Sequence, residues 1–187
     1  MAAIEAIATT YLEANATSVT FTSLGSYEHL QLRYTAHSTY VVTNSYDSII
    51  MRFATGGGAI DSGTNYFINQ IYAAQTSAAG NVVANTNDIY TNGMSDSNET
   101  DTASARGTAG YGPAIVDILD YLNGNKNTTA LGITSTARKD TATAYIIAGG
   151  GAWDNPGAID KIELKLYSGS DFVRGSSFTL YGLKSVN

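Results

Sequence analysis

Apolar and polar side chains alternate residue by residue along much of this chain, and a period of two suits strands and little else. In His29-Leu30-Gln31-Leu32-Arg33-Tyr34 the alternation sends Leu30, Leu32 and Tyr34 to one face and His29, Gln31 and Arg33 to the other. That is the signature of a half-buried strand. Near the C-terminus Ile162, Leu164 and Leu166 alternate with Lys161, Glu163 and Lys165. After Ser168-Gly169-Ser170-Asp171 the pattern resumes at Phe178, Leu180 and Gly182, so the two runs are expected to pair as antiparallel neighbours.

Further strands are predicted from Ile4 to Tyr11, Ser18 to Thr22, Ser48 to Phe53, Tyr66 to Ala73, Ala114 to Tyr121, Asn127 to Ile133 and Thr143 to Ala148. Turn chemistry separates them at Gly56-Gly57-Gly58, Asp61-Ser62-Gly63, Asn92-Gly93, Gly110-Tyr111-Gly112-Pro113, Asn123-Gly124, Gly149-Gly150-Gly151 and Asn155-Pro156-Gly157. Ile115 to Leu122 also fits a helical stripe, but Pro113 before it, Asn123-Gly124 after it and its short length favour a strand. Thr91 to Gly110 has almost no large apolar side chain and is predicted to be a long surface loop. The expected fold is all-β: an antiparallel β-sandwich, jelly-roll-like, of about ten short strands with little helix. Residues 1–15 form an N-terminal arm or a first edge strand, and residues 16–187 form one β-sandwich domain carrying the polar loop at about 91–110.

Composition narrows the function. Of the 187 residues 43% are hydrophobic and only 14% charged, as a folded chain requires. A net charge of −6 opposes the basic field that binding to phosphate backbone needs, so a nucleic-acid partner is not expected. Without cysteine there is no disulfide, no thiolate nucleophile and no Cys-based zinc site. The first ten residues lack the basic start and apolar run of a signal peptide, and no stretch approaches the length of a membrane span, so neither secretion by that route nor a membrane partner is expected. Three Asn-x-Thr sequons, at Asn15, Asn98 and Asn127, take their plain reading as chance in a chain rich in Asn and Thr.

Chemistry-bearing motifs are sparse. His29 and His37 are the only histidines and share a face only if one unbroken strand joins them; with no carboxylate or Cys between them they are read as ordinary strand residues. No Gly-x-Ser-x-Gly elbow is present. Asp61-Ser62-Gly63 resembles the turn of aspartic proteases, but that chemistry needs a second copy and the chain has none, so a plain turn is expected. The two glycine triplets lack the Lys-Ser or Lys-Thr of a phosphate cradle. Asp96, Asn98, Glu99 and Asp101 offer oxygen ligands without the glycine of a calcium loop, and are read as a solvated acidic loop. Asp88, Asp117 and Asp120 are the carboxylates a glycan hydrolase would draw on, but enzyme activity is not expected. Trp153 would stack on a sugar or anchor a partner if exposed, and would fill the core if not. No cofactor is expected.

Three segments carry a resemblance. Ser18-Val19-Thr20-Phe21-Thr22-Ser23-Leu24 with Tyr27-Glu28-His29-Leu30-Gln31-Leu32-Arg33, and Ile162-Glu163-Leu164-Lys165-Leu166 with Asp171-Phe172 and Gly175-Ser176-Ser177-Phe178-Thr179-Leu180-Tyr181-Gly182-Leu183, are similar to a pattern of tailed-phage structural proteins. The Asn65-Tyr66 strand start after a glycine-rich turn belongs to the same pattern. Together they frame the chain from about residue 16 to its end. The resemblance implies a jelly-roll-like module used as a capsid decoration or cement protein, a head fibre or a tail-fibre domain, with no catalytic residues. It further implies a virion location on the capsid surface after synthesis in the host cytoplasm. The partners would be the major capsid protein and copies of itself, as a homotrimer. The expected contact residues are Ile4, Ile7, Tyr11 and Trp153. The alternative is a receptor-binding fibre module whose aromatic side chains stack on host glycans.

Overall fold

A computed structural model describes residues 3–41, 46–74, 77–98, 111–137 and 144–184, and every regular element among them is a strand. In chain order these are β1 (Ala3–Tyr11), β2 (Ser18–Phe21), β3 (His29–Val41), β4 (Tyr46–Thr55), β5 (Tyr66–Ala74), β6 (Ser77–Thr86), β7 (Ile89–Asn98), β8 (Gly112–Leu119), β9 (Thr128–Ala137), β10 (Ala144–Trp153), β11 (Ile159–Leu166) and β12 (Ser177–Lys184).

They form an antiparallel β-sandwich. One layer runs β1-β12-β3-β8-β9-β10-β5-β6 and the other β2-β11-β4-β7. The far end of β3 pairs in parallel with β7 through His37 and Ser38, so one long strand serves both layers. With β5, β6, β9 and β10 set aside, eight strands remain, β1-β12-β3-β8 over β2-β11-β4-β7. The two remaining hairpin pairs extend the first layer beyond β8, ending at β6, whose residues are exposed on both faces almost throughout.

The core follows from the alternation. Leu30, Leu32, Tyr34, Val116, Ile118, Phe178 and Leu180 from one layer meet Val19, Phe21, Ile49, Met51, Phe53, Ile162, Leu164 and Leu166 from the other, all buried. Each such side chain contributes about 1.5–3 kcal/mol by leaving water. In β8 the burial alternates strictly, with Ala114, Val116 and Ile118 inward and Ile115 and Leu119 outward. That alternation settles the ambiguous segment as a strand ending at Leu119, after which Asp120 turns with φ 54°. Polar groups in the interior are satisfied in a relay: the Tyr34 hydroxyl lies 2.7 Å from Thr91 Oγ1, which donates to the Ile49 carbonyl at 2.9 Å.

Four expectations change. First, β11 and β12 are not neighbours: β11 pairs with β2 and β4, and β12 with β1 and β3. The connection between them crosses from one layer to the other, pinned where Phe172 and Ala16 exchange two backbone hydrogen bonds and where buried Asp47 accepts from Ser38 Oγ at 2.9 Å and Ser168 N at 3.1 Å. Alternation tells which face is buried, not which strand lies alongside. Second, Gly149-Gly150-Gly151 is no turn but the middle of β10, where neighbouring backbone comes so close that a Cβ would collide with it. Gly56 and Gly57, by contrast, do make a turn with φ of 62° and 75°. Third, Thr91 to Asn98, with the expected turn at Asn92-Gly93, is not loop but strand β7, held by backbone ladders to β4 and β3 that ask little of its side chains, and Gly112-Pro113 likewise opens β8; residues 99–110 lie outside the described residues. Fourth, β6 went unforeseen, because a strand exposed on both faces has no alternation to read.

Candidate docking face

The extension of the larger layer is built inside out. On β9 the inward row is Thr128, Ala130, Gly132 and Thr134, while Leu131 and Ile133 point to solvent. The cause is the closeness of β7: a Cβ on Gly132 would lie 2.8 Å from the Thr91 carbonyl oxygen. Only small side chains fit there, so the large apolar ones occupy the outer face. On β10 the order is reversed, with Trp153 and Ile147 inward and Ala148, Gly150 and Ala152 outward.

Register turns these strands into rows across the outer face. Ile115, Ile133, Ala148, Ile71 and Gly80 make one row from β8 to β6. Asp117, Leu131, Gly150, Asn69 and Val82 make the next, and Leu119, Thr129, Ala152 and Phe67 a third. Small residues on β10 thus form a trough between a ridge on β9 and a ridge on β5. Ile115, Leu119, Leu131, Ile133, Ile146, Phe67, Ile71 and Val82 are between 36% and 80% exposed. They present on the order of 700 Å² of apolar surface, above the largest patch of an ordinary monomer at roughly 300–600 Å². Shallow depressions run across it, one of about 510 Å³ lined by Ile71, Ala73, Ala78, Ile133, Ile146 and Ala148. The strands β5, β6, β9 and β10 contain no Asp, Glu, Lys or Arg.

The same layer turns polar across β8. Gln31 donates to Asp117 at 2.7 Å, Arg33 Nε donates to Gln31 at 2.7 Å, and the Arg33 guanidinium lies 4.9 Å from the Tyr181 ring. At the far edge, β1 pairs with β12 from Ala3 opposite Lys184 to Tyr11 opposite Ser177. There Ile4 and Tyr11 are exposed, while Ile7 is half-buried against the core.

The other candidate residues sit apart from this face. Trp153 is fully buried, stacked with Tyr66 and tilted against Phe53, and its indole N–H donates to Asp61 at 2.8 Å; the ring therefore belongs to the core and offers no partner surface. Burial pushes the Asp61 carboxyl up, but hydrogen bonds from Asn65, Trp153 and the Gly63 N–H, with Arg52 nearby, hold it below the usual range. The Asp-Ser-Gly turn is thus a structural one. His29 and His37 do share β3, eight residues and so about 26 Å apart, too far for one metal ion. His29 Nδ1 accepts from the Asp120 N–H at 3.0 Å, and His37 is buried beside Tyr111.

Asp88, Asp117 and Asp120 each answer to a different partner: Arg52 at 3.2 Å, Gln31 and Lys126. Burial raises Asp88 despite its arginine, whereas Lys126 lowers Asp120. Of the acidic quartet, Asp96 and Asn98 lie in β7, and Glu99 and Asp101 fall outside the described residues. Among the described residues no group of three or more His, Asp or Glu is placed to hold a metal. Compared with protein-family models, with curated proteins and with solved structures, the chain matches none.

Proposed function

We propose that this chain is a structural subunit of a tailed-phage particle, a decoration or cement protein that stabilises the head by docking protein surfaces against one another. The observation that carries the reading is the apolar face of β8, β9, β10, β5 and β6, in which Asp117 of β8 is the one charged residue, set on a packed sandwich. A face of this size marks an interaction surface, and its scarcity of charge suits contact with protein and not with nucleic acid.

The phage assignment rests on the resemblance of Ser18–Arg33 and Ile162–Leu183. Those two regions pack together: the Tyr27 ring lies flat on Gly182, where a Cβ would come within 2.3 Å of the ring, and Lys184 Nζ sits 4.6 Å from the ring centre. The strand order β1-β12-β3-β8 over β2-β11-β4-β7 is what a jelly-roll-like module would have. In this reading Ile4 and Tyr11 on the opposite edge meet the major capsid protein. A glycan-binding fibre module is less well supported, because Trp153, its expected stacking ring, is buried.

Particles of the phage that encodes the chain test the proposal by imaging and by quantitative mass spectrometry. Copies in the hundreds on the head support decoration. A few copies at the tail point to the fibre module, and none in the particle refutes both.

A further inference from the structure

The geometry points to a second copy of this chain as the occupant of the apolar face, packed face to face about a two-fold axis that runs along the strands above the line between β9 and β10. The proposal rests on the reading of this face as a docking surface and names its partner.

The rows are self-complementary under that rotation. It places the β9 ridge of each copy over the β10 trough of the other, so Leu131 meets Gly150 and Ile133 meets Ala148 of the second copy, large on small. It also places β8 opposite β5, so Ile115 meets Ile71 and Leu119 meets Phe67. The polar members of the face meet each other as well. Asp117 falls opposite Asn69, whose Oδ1 accepts from Gly150 N and whose NH₂ can donate to the carboxylate.

Two quantities favour self-pairing. Burying on the order of 700 Å² from each copy gives roughly 1,400 Å² in all, within the range of roughly 1,200–2,000 Å² for a standard stable interface. The chain carries a net charge of −6, so repulsion between two copies is least where they meet on an uncharged surface, and β5, β6, β9 and β10 carry no charged residue.

The test is the mass of the full chain by sedimentation, together with a disulfide trap. The expected result is a species of twice the 19.6 kDa chain mass, halved by Ile71→Asp or by Leu131→Asp while the circular dichroism of a folded β protein is retained. The chain has no cysteine, so Ile71→Cys combined with Ile115→Cys gives a clean probe. Within one copy those positions are three strand spacings apart, about 14 Å, too far to bridge. Across the proposed interface they are opposed, so mild oxidation is expected to yield a covalent dimer from the double variant and little from either single one. A monomeric native chain, a larger assembly that survives Ile71→Asp, or failure of the trap each overturns the pairing. Loss of particle incorporation in Leu131→Asp with a monomeric native chain leaves the docking function standing and assigns the face to another protein. A stable dimer absent from particles does the reverse.

Discussion

Replacing Gly150 by alanine adds one methyl group to a strand with no room for it. A Cβ there would lie 2.0 Å from the Ala130 carbonyl oxygen and 3.0 Å from its carbonyl carbon. Both atoms belong to β9, which is held in register by β8 on one side and β10 on the other, so relief means shifting a ladder by about 1 Å. Overpacking costs about 1–3 kcal/mol, and a collision with backbone belongs at the top of that range; the lower entropy of the unfolded alanine chain offsets at most about 1 kcal/mol. The net loss is about 2 kcal/mol, or about 4–8 °C in melting midpoint for a chain of this length. Gly57→Ala is the control, since its φ of +75° is strained for alanine but no atom lies within 4 Å. Its cost is about 1 kcal/mol. Urea unfolding followed through Trp153 fluorescence reads both, as a shift in midpoint at constant slope. A Gly150→Ala protein as stable as the native one, or more stable than Gly57→Ala, would refute the close approach of β9 and β10 and with it the trough.

Other perturbations follow from the interior. Tyr34→Phe and Thr91→Val each break the relay to Ile49 and are expected to cost about 1 kcal/mol, with a coupling of about 0.5–1.5 kcal/mol in a double-mutant cycle; full additivity would show that the two hydroxyls act separately. Phe172→Ala empties a fully buried site against Phe178 in the crossing connection and is expected to cost about 3–5 kcal/mol by calorimetry. Because its hydrogen bonds hold Asp61 below the usual carboxylate range, its contribution to stability is present above the unfolded pKa and is lost as pH falls through the folded one. Between about pH 5 and pH 2 the native protein is therefore expected to lose more stability than Asp61→Asn. Parallel pH curves for the two would mean that the carboxylate is not held by those bonds.

The strands legible in the sequence are those with one wet and one dry face. Leu30, Leu32 and Tyr34, Ile162, Leu164 and Leu166, and Phe178 and Leu180 alternate because each lies between the core and solvent, and all are buried as read. Partner strands were not legible, since pairing of β12 with β1 and β3 depends on chain crossings that leave no local mark. The candidate face was missed for a sharper reason. Alternation in Ala130-Leu131-Gly132-Ile133 is plain, but large apolar residues are ordinarily taken as the inward set, and here the nearness of Thr91 to Gly132 reverses the assignment. The signal available was the inward glycine itself, together with the run of strands without a charged residue.

Among the described residues β6 ends its layer with one edge unpaired. From Ser77 to Thr86 it has neither the proline nor the lysine that commonly guards a terminal strand, and Val82 stands 80% exposed on it. Face-to-face pairing leaves this border open, so dimers can still be stitched sideways into fibres. A single lysine on this ribbon, where every residue but Thr86 is exposed, is expected to act as a gatekeeper without touching the core.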